Sequence, residues 1–342
     1  MHSFTEILPP HVVDFLRGKT TAEYATLSAA GVPIDTPTFV FPNAELTTLD
    51  IGTGLSYPAK AERARRNPKV GMLLEGTSDQ PVISVAGYAA VHDADIQANL
   101  IRYLAETIFT PNVDPEVVAW EKTRRRLYYL SRVIVAVAPA HVRWWENRAA
   151  MAGPPHEWRA PAGGRFPQSD PKPAGKPSKV PQWPQVSWQD RAEAAMAGGL
   201  PGHVTLPDAE GFPIPLRVGA IRRSDNGFGF VMPGGAPWSE GKATLSFAGK
   251  EVFVGEIRRE GAKGVLDVER ALPVLPTVDD RIGANLEAIA KLDDRLAEEL
   301  ARRGLPMPVV PDEPPAPTAG ALLRMAASRG LDITNVGAGI SK

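Results

Sequence analysis

Residues 23–87 read EYATLSAAGVPIDTPTFVFPNAELTTLDIGTGLSYPAKAERARRNPKVGMLLEGTSDQPVISVAG. Alternating or apolar runs predict strands near 23–28, 36–42, 45–51, 69–75 and 81–92. GVPI and the PNA turn punctuate them as hairpin connections. Between the third and fourth runs lies a short basic helix. It opens at Pro58, carries Lys60, Arg63, Arg65 and Arg66, and is stopped by Pro68. A helix N-terminus beside clustered cations offers amide donors and positive potential to a phosphate. Thr53 and Ser56, just upstream, add hydroxyl donors.

Outward from this stretch, residues 10–18 form an amphipathic helix with Val12, Val13, Phe15 and Leu16 inward. A second helix is expected over 94–109 and a third over 115–127. The run SRVIVAVAPAHVRWW (131–145) reads as a buried strand that Pro139 ends. From 151 to 187 prolines recur with almost no aliphatic residues, too little to build a core, so this part is an extended linker or wrapping arm. Trp158, Trp183 and Trp188 are its expected docking points.

The pattern then restarts. HVTLPDAEGFPIP (203–215) parallels YATLSAAGVPIDTP (24–37), matching Thr205 to Thr26 and Pro213 to Pro33, and VFVGEI parallels ISVAGYA through Gly255 and Gly87. The second copy lacks the basic helix. A repeat this long implies two related β-barrel halves rather than a solenoid. Residues 277–303 read as a long helix, with Thr277 and Asp280 as a capping box and Gly304 and Pro306 at its end. The domains expected are therefore 1–150, a linker over 151–187, a shorter half over 188–275, and a C-terminal helix and tail over 276–342.

Composition narrows the chemistry. The 342 residues carry a formal net charge of −1, which supplies no overall drive toward nucleic acid or an anionic membrane. There is no cysteine, which removes disulfides, thiolate metal sites and cysteine nucleophiles and fits a cytoplasmic protein. No signal peptide or spanning segment is expected, and neither paired histidines nor an acid cluster suggests a metal. Gly235–Lys242 departs from P-loop spacing, and Gly52-Thr-Gly54 lacks the third glycine of a dinucleotide fingerprint. Asp93 or Asp95 is read as an N-cap.

The order strand, turn, basic helix, Asn-Pro, strand resembles the pyridoxamine 5'-phosphate oxidase-like split-barrel flavoproteins, well over residues 10–145 and loosely over 200–270. That resemblance implies a mainly β protein of two tandem FMN-binding split-barrel halves with peripheral helices and a C-terminal helix. It implies FMN as cofactor and oxidation–reduction of a small-molecule substrate, with nicotinamide, dioxygen or deazaflavin as electron partner. Carried over by position, Thr38, Phe39 and Val40 would flank the flavin ring. Thr53 and Ser56 would touch ribityl or phosphate oxygens, Lys60 would clamp the phosphate with Arg63 beside it, and Trp144 would lie against flavin or substrate. Arg217 and Arg143 are the candidate cations for the ring's N1–C2 edge, and Tyr57 and Tyr88 the candidate proton donors or stacking partners. Family sites lie between subunits, so the two halves would form a pseudo-dimer within the chain, with Trp238 and Lys242 also contributed by the second half, and a homodimer is a further possibility. Members often carry an arginine at the start of the ring-flanking strand, where this chain has Asp35-Thr36-Pro37. Two alternatives stay open: a split barrel that binds a ligand without flavin, and a haem-binding barrel using His141 or His203.

Overall fold

The computed structural model describes residues 1–107, 120, 124–178, 187–236, 238–249, 251–261, 263–272 and 286–329. The helix expected over 115–127, Trp183, and the capping box at Thr277 and Asp280 lie wholly or largely outside these residues.

Two short helices, α1 (Phe4–Ile7) and α2 (Pro10–Gly18), precede strands β1 (Thr21–Leu27), β2 (Pro33–Pro42) and β3 (Leu49–Gly54). Helix α3 (Ala59–Arg66) leads into β4 (Lys69–Leu74) and β5 (Val82–His92). Helices α4 (Ile96–Thr107) and α5 (Leu127–Leu130) precede β6 (Arg132–Trp145). The strands pair in the order β3-β2-β1-β4-β5-β6, and a β3–β6 pairing closes the ring. Side chains of alternate parity, among them Tyr24, Val40, Ile51, Met72, Val85 and Val135, fill its interior.

The second half repeats this plan. After a short strand β7 (His156–Arg159), helix α6 (Trp188–Ala197) precedes β8 (Gly202–Pro207), β9 (Pro213–Arg223), β10 (Gly227–Val231), β11 (Gly241–Phe247), β12 (Glu251–Glu260) and β13 (Lys263–Leu272). These close as β10-β9-β8-β11-β12-β13, the same neighbour order shifted by one barrel. Its interior is aromatic: Phe228 and Phe253 pack with ring centroids 4.8 Å apart, beside Phe247. The chain is thus mostly β, with two closed six-stranded barrels in tandem.

Three sequence-based expectations change. The strand set at 45–51 begins only at Leu49, because Asn43 ties the preceding turn, its Oδ1 accepting from the amides of Thr47 and Thr48. Pro139 does not end β6, which runs on to Trp145. Proline sits opposite Gly87 at a bulge, where the ladder skips a residue and no amide donor is required. A Cβ on Gly87 would stand 2.6 Å from the Ala138 carbonyl oxygen, so that crossing needs glycine. Strand β12 has its bulge at Gly255, the residue matched to Gly87, which supports the repeat independently of sequence. Finally, Thr205 corresponds to Ala25 rather than Thr26. The closing pairs are Leu27 with Pro33 and Pro207 with Pro213, an offset of 180 (213 − 33) in both strands. A one-residue slip exchanges the two faces of a strand. Thr205 therefore faces outward toward the first barrel, while Thr26 belongs to the inward set of β1.

The proline-rich segment is an arm with local order. A 3-10 turn (Ala149–Ala152) leads to β7 (His156–Arg159), which extends the first sheet beyond β6. Further on, Asp170 accepts from the amides of Asp93 and Ala94 at 2.8 Å, and Ser169 from that of Val91 at 2.9 Å. Trp158 packs on the first barrel's core and Trp188 on the second's. Helices α7 (Leu286–Arg303) and α8 (Ala319–Ser328) return to the first barrel. Leu296 and Leu300 of α7 are buried there.

The barrels meet along the outer faces of β1, β2 and β4 on one side and β8, β9 and β11 on the other. His203 lies between two carboxylates of the first barrel, Glu75 at 2.9 Å and Glu23 at 3.4 Å. Arg217 donates to Glu75 at 2.8 Å. By the 180-residue offset Glu23 and His203 occupy equivalent positions, so this contact lies where the two halves meet as counterparts.

Candidate functional site

Strand β3 delivers the chain to the turn that starts α3. Parity places Thr53 toward the barrel interior with Leu49 and Ile51, and Gly52 and Gly54 on the outer face. Both glycines serve close approach: a Cβ on Gly52 would lie 2.8 Å from the Tyr103 ring, and one on Gly54 2.3 Å from the Tyr57 ring. Ser56 is fully buried. Its hydroxyl donates to the Tyr128 carbonyl at 3.4 Å, and its own carbonyl accepts from Arg295 Nε of α7 at 2.6 Å. Helix α3 packs Ala61 and Ala64 into the barrel core and has no side-chain N-cap, so its first amides are free of that partner.

The four α3 cations meet different fates. Arg65 is neutralised by Asp93 at 2.6 Å, and Arg66 is exposed. Arg63 donates through Nε to Thr26 Oγ1 at 2.7 Å. Lys60 is partly buried and has neither a hydrogen bond nor an ion pair among the described residues. Burial, with Arg63 and Arg132 nearby, lowers its ammonium to about 8, against a smaller upward pull from Asp35 and Glu23. Burial likewise lowers Arg63, to about 10.

Arg132, which the sequence reading did not single out, joins this group. It pairs with Gly54 across the β3–β6 ladder and is 4% exposed. Its guanidinium stacks on the rings of Tyr129 at 3.9 Å and Tyr103 at 4.5 Å. Nη1 donates to the Tyr57 hydroxyl and Nη2 to that of Tyr103, both at 3.3 Å, while Nε is buried with no partner. Arg132 thus reaches Tyr57 of the same turn from the outer face, and none of Lys60, Arg63 and Arg132 has a carboxylate within ion-pair distance among the described residues. Thr53 Oγ1, buried on the inward side of β3, also lacks a partner.

Buried cations without anions are costly. The donor set is of one kind, cations and hydroxyls, which is what a phosphate dianion requires. Arg63 also borders a surface cleft of about 210 Å³ with Pro58, Ala59, Glu62, Arg66 and Ser178. The residues present therefore fit the phosphate end of a flavin nucleotide.

The other expected site residues lie apart from this cluster. Val40 points into the barrel core, and Phe39 packs against Phe41 and Tyr103 under the guanidinium of Arg324, 5.7 Å from its ring. Arg324 comes from α8, is fully buried and is paired with Glu106, so the outer side of β2 is covered by the C-terminal segment. Thr38 is half-buried on the same strand. Arg217 is engaged by Glu75 at the barrel interface, and Arg143 by Glu157 of β7 at 3.3 Å. Trp144 belongs to the first barrel's core and stacks on His156, with centroids 5.3 Å apart. Tyr57 holds Arg132, whereas Tyr88 packs on Phe166 and Phe212. Trp238 lies under the guanidinium of Arg259, and Lys242 reaches the Ala30 carbonyl. His141 faces Glu157 at 3.3 Å and His203 is enclosed as described, so both histidines already have carboxylate partners. Asp95 is the cap, accepting from the Ala98 amide at 2.8 Å.

A second polar cluster lies between the barrels. Asp35 is fully buried and neither of its oxygens has a hydrogen-bond partner within ordinary geometry, nor has the Thr205 hydroxyl. Burial, reinforced by Glu23, holds the Asp35 carboxyl well above the usual carboxylate range. Burial also raises Glu23, against the pull of His203. Glu75 goes the other way: although burial opposes it, His203 and Arg217 bring it down to about 2.

No protein-family model and no curated protein matches the chain. Among solved structures, General Stress Protein 26 from Bacillus anthracis is similar, with 18% identity over 44% of this chain and 96% of its own and a TM-score of 0.30. A pyridoxamine 5'-phosphate oxidase-related, FMN-binding protein from Nostoc punctiforme is 16% identical over 40% of this chain and 84% of its own, TM-score 0.30. A conserved hypothetical protein from Mycobacterium tuberculosis is 21% identical over 48% of this chain and 96% of its own, TM-score 0.31. Each neighbour is spanned almost whole, yet corresponds to less than half of this chain.

Proposed function

We propose that this chain binds a flavin nucleotide, FMN in the simplest case, by its phosphate at the β3–α3 turn, and that it serves oxidation–reduction of a small organic molecule. One observation carries the reading: two partly buried cations of α3, Lys60 and Arg63, have no carboxylate within ion-pair distance among the described residues, at a turn that Arg132 borders on the outer face. Lys60 and Arg63 would hold the phosphate, and Thr53 would donate to one of its oxygens. Ser56, whose backbone is fixed by Arg295, sets the path of the turn. A bound flavin would supply hydride transfer at its N5, with nicotinamide, dioxygen or deazaflavin as electron partner. The chain's own share is to fix the cofactor's tail, exclude water with α7 and the proline-rich arm, and supply positive potential. Two barrels in one chain would act as an internal pseudo-dimer, and the absence of cysteine fits the cytoplasm.

A second reading, a barrel that binds a phosphorylated ligand without redox chemistry, is favoured by the position of Arg324 over Phe39, which covers the strand expected to flank the ring. The absorption spectrum of protein incubated with FMN and desalted separates the two. Retained flavin bands support the redox reading. A colourless protein that nonetheless binds phosphate supports the second. Lys60→Met is expected to weaken either ligand about tenfold or more, the scale of a lost charge-assisted contact. Unchanged retention in Lys60→Met would remove the phosphate assignment.

The lowered Lys60 ammonium also sets a pH dependence. Below about 8 it is charged in the free protein. Above that value an anion must bind together with a proton, so affinity is expected to fall as pH rises from 8 to 10.

A further inference from the structure

We propose that the proline-rich arm completes the phosphate site: the phosphate lies in the cleft between α3 and the arm, and the Ser178 hydroxyl and the Arg66 guanidinium are ligand contacts beside Arg63. The inference rests on the phosphate reading of the β3–α3 turn and adds to it a second wall, contributed by a segment outside the barrels.

Shape comes first. The cleft holds about 210 Å³, with Ala59, Glu62, Arg63 and Arg66 on one wall and Pro177 and Ser178 on the other. Positions 59, 62, 63 and 66 share one face of a helix. The cleft therefore follows α3, starting at an N-terminus that no side chain caps. Charge comes second. Arg63 spends only its Nε, on Thr26, and its two Nη groups have no hydrogen-bond partner among the described residues. Arg66 makes one bond, from Nη2 to the Leu27 carbonyl at 3.3 Å, and no ion pair among those residues. Glu62 is the carboxylate on this wall, and Arg302 already pairs with it at 2.7 Å. The lining is thus net positive, and a guanidinium offers its donors in a rigid fork suited to phosphate oxygens. The third point is the serine opposite. Ser178 Oγ is buried and has no partner, although the residue lines the cleft. It is fixed from behind: its amide donates to Glu299 Oε1 of α7 at 2.5 Å, and Arg302 holds Glu299 at 2.8 Å. A buried hydroxyl without a partner costs free energy, which an acceptor seated in the cleft recovers. A phosphate there meets Arg63 and Arg66 on one side and Ser178 on the other.

Calorimetric titration of the full-length protein with FMN and with riboflavin, which lacks the phosphate, tests this. Ser178→Ala is expected to bind FMN about tenfold more weakly, the scale of one hydrogen bond to a charged group, and to leave riboflavin affinity as in the wild type. Ser178→Thr keeps the hydroxyl and should restore most of the FMN affinity. Arg66→Gln should likewise weaken FMN alone, and it covers the case in which a change at Ser178 displaces the arm. Unchanged FMN affinity in either Ser178→Ala or Arg66→Gln, with FMN lost in Lys60→Met, overturns the inference and leaves the phosphate reading standing. An equal loss of FMN and riboflavin in Ser178→Ala also overturns it, because the residue then acts elsewhere than on the phosphate. Failure of the wild type to bind FMN overturns both.

Discussion

Asp35 is the residue on which burial and charge conflict most openly. Its carboxyl is fully enclosed where the barrels meet, beside Glu23, and is kept protonated well above the usual range. In the unfolded chain it ionises near its ordinary value, so between that value and the raised folded one the unfolded state holds fewer protons. Stability is therefore lost through this group as pH rises. Asp35→Asn removes the titration and nearly keeps the shape. It should raise the melting temperature at pH 8 and change it little at pH 4, and an equal shift at both values would count against a protonated Asp35. Glu75 has the opposite sign: its folded value of about 2 lies below the ordinary 4.5, so its contribution is complete above about 4.5 and fades as pH falls toward 2. Lys60 and Arg63 were legible in the sequence because they lie on one short helix beside Thr53 and Ser56. Arg132 was not: it opens an apolar strand far along the chain, and only the β3–β6 ladder brings it opposite Gly54. The roles of Glu23, Asp35, Glu75 and His203 were equally hidden, since their partners come from the packing of two repeats rather than from local spacing.

At the scale of elements, periodicity located most strands, and the composition of 151–187 identified an arm without its own core. The errors came where a tertiary contact overrides a local rule. Pro139 looks like a terminator, yet the bulge opposite Gly87 removes the need for its missing donor. The repeat was visible, but its register was not, because the match between Thr26 and Thr205 ignores which pair closes each hairpin. The bulges give an element-level prediction. A side chain at Gly87 would press on the Ala138 carbonyl at 2.6 Å. Gly87→Val should therefore cost about 1–3 kcal/mol in chemical denaturation, the usual price of overpacking. Gly229→Ala, where nothing lies within 4 Å of the added atom, serves as the control. A Gly87→Val protein as stable as the wild type would mean that the bulge is not tight.

Across the whole molecule, the two barrels share a strand order but not their chemistry. The first carries the basic helix, the arm and both C-terminal helices, while the second lacks the helix and presents His203, Thr205 and Arg217 to its neighbour. Helices α7 and α8 close over the first barrel through Arg295 at the Ser56 carbonyl, Arg303 at Asp93 and Arg324 at Glu106. The molecule thus sets a turn whose Lys60 and Arg63 have no ion-pair partner among the described residues beneath its own C-terminal segment, the arrangement from which the phosphate reading follows. Parallel calorimetric titrations with FMN and with riboflavin, which differ only in the phosphate, test that reading most directly. The account predicts that FMN binds and that riboflavin binds at least about a hundredfold more weakly, the loss expected for two charge-assisted contacts. Equal affinities, or no binding of FMN at any concentration tested, would contradict it.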